Sequence, residues 1–124
     1  MSALVCKQDQ QAAVSAVASR DIGKTKEEME KFLPERGPRN NRMAQLMYEI
    51  LDDVYGVPEI KRFPYCIFRT EVCFREAQRK PVPANFRSVA EDILTCQTKY
   101  GEEASNEIID CIQDAITKGT GTKK

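Results

Sequence analysis

Apolar residues recur along this chain at steps of three and four, the period of a helix with one buried face, and no two alternating runs are joined by a turn as a strand hairpin would require. Ala12, Ala13, Val14, Ala16, Val17 and Ala18 form a shallow stripe over residues 8–20, with Gly23 as its stop. Thr25 followed by Glu28 is a capping box, which predicts a short helix from Lys26 to Phe32 that ends before Pro34 and buries Met29, Phe32 and Leu33. Residues 34–41 are rich in Pro, Gly and Asn and read as a loop. Asn40 or Asn41 then caps the clearest helix, where Met43, Leu46, Met47, Ile50, Leu51 and Val54 share a face. Gly56 ends it, and Pro58 blocks its resumption.

A fourth helix is predicted to start near Pro64, to carry Tyr65, Cys66, Phe68, Val72, Cys73 and Ala77 on one side, and to stop at Lys80, Pro81, Val82 and Pro83. Asn85 caps a fifth, with Phe86, Val89, Ala90, Ile93, Leu94 and Cys96 inward and a glycine stop at Tyr100–Gly101. The sixth follows at once, striped by Ala104, Ile108, Cys111, Ile112, Ala115 and Ile116 and closed by Lys118–Gly119. The expectation is an all-α bundle of about six helices in a single domain, residues 1–118, with 119–124 as a flexible tail.

The cysteines add cross-links to this bundle. Cys66 and Cys73 are seven residues, about two turns, apart on one face, about 10 Å along the helix axis and too far to bond each other. If the helices flanking the Pro81–Pro83 stop and the Tyr100–Gly101 stop form antiparallel hairpins, Cys66 lies level with Cys96 and Cys73 with Cys111. Two disulfides, Cys66–Cys96 and Cys73–Cys111, would then staple the last three helices, and the alternative is reduced cysteines packed as small core hydrophobes. Cys6 is left over near the terminus, able to stay free, to join a second copy as a dimer, or to mark the site just after a removed leader. Disulfides imply an oxidising compartment, periplasmic or extracellular. Residues 1–20 lack a basic start followed by a long apolar core, so export implies a leader removed ahead of Met1.

Composition narrows the chemistry. The 124 residues hold 19 basic and 19 acidic side chains and no His, which removes Ser-His-Asp and Cys-His catalysis and His-based zinc sites. No Cys-x-x-Cys pair brings two thiolates to one metal, so neither metal nor cofactor is expected, and the chain is read as a non-enzyme. No apolar run is long enough to span a membrane, and a balanced charge argues against nucleic acid. The neighbouring carboxylates Asp52 and Asp53 project about a hundred degrees apart on the third helix and are read as a solvated face. Charge is uneven along the chain: residues 36–87 hold ten basic and six acidic side chains, residues 91–124 four and seven. Arg36, Arg39 and Arg42 flank one loop, while Lys61, Arg62, Arg69, Arg75, Arg79 and Lys80 line the first cysteine helix. Arg62, Phe63, Tyr65, Arg69 and Phe74 combine Arg with aromatics as protein-binding patches do, which makes them the candidate binding residues.

Arg20-Asp21-Ile22-Gly23 with the Thr25 to Glu28 box, followed by a helix ending Asp53-Val54-Tyr55-Gly56-Val57-Pro58, resembles small exported helical proteins of Gram-negative bacteria. That resemblance implies a disulfide-bonded periplasmic protein, some of whose kind are immunity proteins that block a cell-wall-degrading effector. The Cys66 to Cys73 spacing is also similar to that of insect chemosensory proteins, although fourteen residues separate Cys96 from Cys111 where that family has a close pair. Neither likeness assigns a site residue. The functional expectation is an exported helical protein that binds another macromolecule, an inhibitor or immunity-type protein, and the alternative is a carrier of a small apolar ligand, with Met43 and Met47 lining its cavity.

Overall fold

The computed structural model describes residues 3–37 and 41–121. Among them the chain forms six helices and no strand: α1 (Ala3–Asp21), α2 (Lys26–Glu30), α3 (Arg42–Gly56), α4 (Arg62–Ala77), α5 (Ala90–Tyr100) and α6 (Asn106–Gly119). The local signals for these elements act as the sequence reading expects in four places. Gly23 takes φ +94° and ends α1, its N–H bonding the Arg20 carbonyl. The Thr25 and Glu28 capping box forms in both directions. Asn41 Oδ1 accepts from the Ala44 N–H at 2.8 Å and starts α3. Pro64 lies in the first turn of α4.

Helix α1 begins at Ala3, well before residue 8, and α2 stops at Glu30, which leaves Phe32 exposed where burial was expected; two later boundaries differ in ways that matter more. Asn85 does not cap α5: its side chain accepts from the Ser88 N–H, closing a turn, and α5 begins only at Ala90. Ser105 caps α6 through the Ile108 N–H, so the turn after Tyr100 runs over residues 101–105 instead of closing at Gly101.

Helix α4 is the axis of the molecule. One side of it packs antiparallel on α1, so that Cys6 faces Cys73, Asp9 faces Arg69 and Gln10 faces Cys66. Another side meets α6, where Arg75 donates to Thr117 Oγ1 at 2.9 Å and Gln113 donates to Glu71 at 2.9 Å. Helix α3 lies against α1, and α5 and α6 form a hairpin. The core is continuous through Val17, Ile50, Leu51, Val54, Tyr65, Phe68, Phe86, Ile93, Ile108, Ile112 and Ile116. Arg20 ties the far end of α1 to the α3–α4 turn by donating to the carbonyls of Val54, Val57 and Ile60. Of these, the Val54 carbonyl is one the end of α3 leaves unmet, since the residue four positions on is Pro58, which has no N–H.

The disulfides are Cys6–Cys73 and Cys96–Cys111, and Cys66 is a buried free thiol. The expected pairs Cys66–Cys96 and Cys73–Cys111 are therefore wrong, for two geometrical reasons. The connector 78–89 is a long traverse and not a hairpin turn, so α4 packs on α6 and α1, and the levels assumed for α4 against α5 do not apply. The longer turn 101–105 also slides α6 by several residues relative to α5, which brings Cys111 level with Cys96. Cys6 lies within α1 and is consumed by Cys73, so the expected dimer through Cys6 has no sulfur to use. Gly119 of the expected tail closes α6 against Val89 and Pro83, while residues 122–124 lie outside the described residues. No helix among the described residues is long and apolar enough to cross a membrane.

Candidate functional site

Charge is buried where α1, α3 and α4 meet. Arg69 Nε and Nη2 donate to the two oxygens of Asp9 at 2.8 and 3.0 Å, and Nη1 donates to Glu49 at 3.1 Å. Asp53 approaches the same guanidinium at 3.7 Å through Oδ2, and that oxygen accepts from the Tyr65 hydroxyl at 2.6 Å. Asp9, Arg69 and Asp53 are all at least nine-tenths buried. One guanidinium thus serves three carboxylates, and Asp9 takes the bidentate face.

The surplus falls on Asp53. Burial pushes its carboxyl up to about 6 against the opposing pull of the Tyr65 hydrogen bond and the Arg69 charge, with Glu49 and Asp52 adding to the rise. Burial likewise drives the Tyr65 phenol well above its ordinary value, helped by the Asp53 charge. Burial opposes the Arg69 charge, but its hydrogen bond to Asp9 and the surrounding anions outweigh that, and the guanidinium stays charged.

Asp53 is also the floor of a cleft of about 530 Å³, whose walls are Gln45, Tyr48, Glu49 and Asp52 of α3, Arg36 and Gly37 of the preceding loop, and Asn85 and Arg87 of the α4–α5 connector. The loop is pinned in place: Tyr48 donates to the Pro34 carbonyl at 2.6 Å, and the Arg36 guanidinium stacks 4.2 Å from the Tyr48 ring centroid. Arg36 also bonds Asp52 and Glu30, and Lys26 reaches Asp52 at 2.7 Å. Burial raises the Asp52 carboxyl, but those two cations hold it below its ordinary value.

The connector is fixed by Phe86, which inserts edge-on between Tyr65 at 5.0 Å and Phe68 at 4.8 Å, centroid to centroid. With Phe86 buried, its neighbour Arg87 projects outward over the last turn of α3. A methyl group at Gly56 would come within 2.1 Å of Arg87 Nη2, so the guanidinium lies directly on the glycine. Arg87 makes no ion pair or hydrogen bond with a described residue, and Asp53 Oδ1 accepts none. Arg87 is thus an unpaired charge at the rim, while Asp53, met only at 3.7 Å by an Arg69 it shares with Asp9 and Glu49, has one oxygen to spare.

The expected binding residues scatter. Arg62 and Phe63 border a second cleft of about 590 Å³ with Ile22, Glu102 and Glu103, and Phe74 is exposed elsewhere on α4. Tyr65 and Arg69 are buried in the Asp53 network and cannot meet a partner directly. The basic strip is neutralised in part: Arg75 pairs with Glu71, Arg42 with Glu76, and Arg36 with Asp52 and Glu30, whereas Lys61, Arg62, Arg79 and Lys80 make no ion pair with a described residue and Arg39 lies outside the described residues. Asp52 and Asp53, read as one solvated face, divide into a surface ion pair and a buried carboxyl. Among the described residues no cluster of carboxylates or thiols is placed to hold a metal ion.

Asp9, Glu49, Asp53, Asn85 and Arg87 were not singled out as a site by sequence. A signal was present for part of it: Asp9 sits between Cys6 and Ala13 on the α1 stripe, and Arg69 between Tyr65 and Cys73 on that of α4. Opposite charges on two apolar stripes are the mark of a buried pair. Compared with family models, with curated proteins and with solved structures, the chain matches none.

Proposed function

We propose that this is an exported, disulfide-stapled helical protein that binds another macromolecule through the Asp53–Arg87 cleft, as an inhibitor or immunity-type protein does, with no catalysis of its own. The observation that carries the reading is a preformed cleft in which the Arg87 guanidinium has no ion-pair partner among the described residues, and Asp53, whose charge is met only by an Arg69 shared with two other carboxylates, keeps Oδ1 without a hydrogen bond. The Cys6–Cys73 bridge locks α1 to α4 behind the cleft, and the Phe86 anchor holds its rim. Rigid, unmet polar groups of this kind favour a complementary partner over solvent because little ordering is left to be done on binding. The two intramolecular disulfides support a compartment where thiols are oxidised.

The carrier reading has less support. The apolar crevice between α1, α2 and α3, lined by Ala12, Ala16, Met29, Leu33, Met47 and Leu51, holds about 90 Å³, whereas ligand cavities enclose roughly 300 Å³ or more.

A photo-crosslinking residue at Asn85, in protein expressed in its own host, tests the proposal. The expected result is one macromolecular adduct in the extracytoplasmic fraction, lost with Arg87→Glu and kept with a charge reversal at exposed Lys7. Recovery of the protein in the cytosol with all thiols reduced, or an adduct indifferent to Arg87, would overturn it.

A further inference from the structure

We propose that the group recognised by the cleft is a zwitterion, an ammonium and a carboxylate held a few ångströms apart as in an α-amino acid, with the ammonium on Asp53 Oδ1 and the carboxylate on Arg87. The inference rests on the reading of the cleft as the recognition site and names what enters it.

Most charges around the cleft are already paired. Arg36 is engaged by Asp52 and Glu30, and Glu49 by Arg69. What remains is one buried carboxylate oxygen and one free guanidinium, and the two are not within ion-pair distance of each other. Arg87 rests on Gly56, three positions after Asp53 on α3, a rise of about 4.5 Å. A ligand with one charge is poorly served here. A lone cation on Asp53 meets Arg87 and Arg36 at the rim, and a lone anion on Arg87 meets Asp53, Glu49 and Asp52. A ligand carrying both charges at short separation satisfies both groups and leaves the cleft neutral. The Asp53 side chain is 9% exposed and lines the cleft, so a group that reaches it leaves water and gains a strong charge-assisted bond.

The assignment also fixes a pH dependence. The charged or titrating groups facing Asp53 are Glu49 and Asp52 on its own helix, Tyr65 and Arg69 on α4, Asp9 behind Arg69 on α1, and Arg87 on the connector. Of these the Asp53 carboxyl is the one raised to about 6, so the ammonium site is lost as pH falls through that value.

The test uses the oxidised full chain and amide NMR. L-alanine carries both charges, alanine amide lacks the carboxylate, and N-acetyl-L-alanine lacks the ammonium. Nε-acetyl-L-lysine presents the same zwitterion attached through its side chain, as on a larger molecule. L-alanine is expected to shift the amides of residues 49–56 and 85–88, and each singly charged compound to bind at least about tenfold more weakly, the effect of one lost charge-assisted hydrogen bond. Arg87→Gln, an exposed change that leaves the core intact, is expected to weaken alanine binding about tenfold or more. Gly56→Ala, which displaces the guanidinium, acts in the same direction. Asp53→Asn is expected to weaken alanine binding about tenfold or more at pH 7 and to leave the remaining binding unchanged as pH falls through about 6.

Binding of alanine and of Nε-acetyl-lysine supports a zwitterion borne on a larger molecule, and binding of alanine alone supports a free amino acid. No shift with either, equal binding of a singly charged compound, or indifference to Arg87→Gln overturns the inference. An Arg87-dependent crosslink without zwitterion binding would keep the macromolecular reading and sink only this one.

Discussion

Asp53 makes the stability of this protein depend on pH in a direction opposite to that of an ordinary salt-bridged carboxylate. Its carboxyl is raised from an ordinary 3.8 to about 6 in the folded chain, mainly by burial. A raised acid binds its proton more tightly when folded, so its contribution is fully present below the unfolded value and is lost as pH rises through the folded one. The size follows from the two values: at roughly 1.4 kcal/mol for each tenfold change, ionising Asp53 costs about 3 kcal/mol. Asp53→Asn keeps an acceptor for the Tyr65 hydroxyl and carries no charge to ionise.

Urea unfolding of both proteins from pH 4 to pH 7 isolates the effect, since every other titrating group is common to the two. Between pH 4, where the unfolded chain is already half ionised, and pH 7, the free-energy difference is expected to move by about 2.4 kcal/mol in favour of the variant. In melting temperature that is about 9 °C for a chain of 124 residues. Carbon-detected NMR of the side-chain carboxyls should show one group titrating near 6. Parallel stability curves, or a variant that loses ground as pH rises, would show that Arg69 holds Asp53 ionised and that burial does not dominate.

The cross-links and the buried polar groups each set a measurable cost. Replacing Cys6 and Cys73 together with Ala is expected to cost about 4 kcal/mol, for a closure spanning 67 positions. The same change at Cys96 and Cys111, spanning 15, costs about 3 kcal/mol, and alkylation of the denatured, unreduced wild type should label a single thiol, Cys66. Arg69→Leu leaves Asp9 and Asp53 buried without a cation and should cost about 3 to 5 kcal/mol in urea titration, with part of it recovered by adding Asp9→Asn. Thr70 Oγ1 is buried without a hydrogen bond, so Thr70→Val is expected to be neutral or to stabilise by up to about 1 kcal/mol, read as a rise in melting temperature.

The helices were legible because each is written in local chemistry. The α3 stripe with Asn41 before it, the Thr25 and Glu28 box, and Gly23 at a left-handed stop all depend on residues within a few positions of one another. The cross-links were not legible, because they depend on loop length. Reading Gly101 as the whole turn put Cys111 beside the wrong residue, and reading 78–89 as a hairpin put α4 beside α5 when Phe86 carries that segment across the aromatic core. The cleft was least legible of all. Asp53 looks like a surface carboxylate next to Asp52, and its burial is decided by Tyr65 and Arg69 from α4 and, through Arg69, by Asp9 from α1. Arg69 was placed on a basic surface because positive charges dominate its neighbourhood in the chain, although its neighbours on the helix face are Tyr65, Val72 and Cys73.

Cys66 precedes Cys73 by two turns on the same helix, and both are candidates for Cys6. A polypeptide delivered amino end first presents Cys66 to Cys6 before the native partner arrives. Once α1 has docked, Cys66 lies buried under Gln10 and out of reach of Cys6, so the helix packing as well as the bond itself decides which of the two thiols is taken.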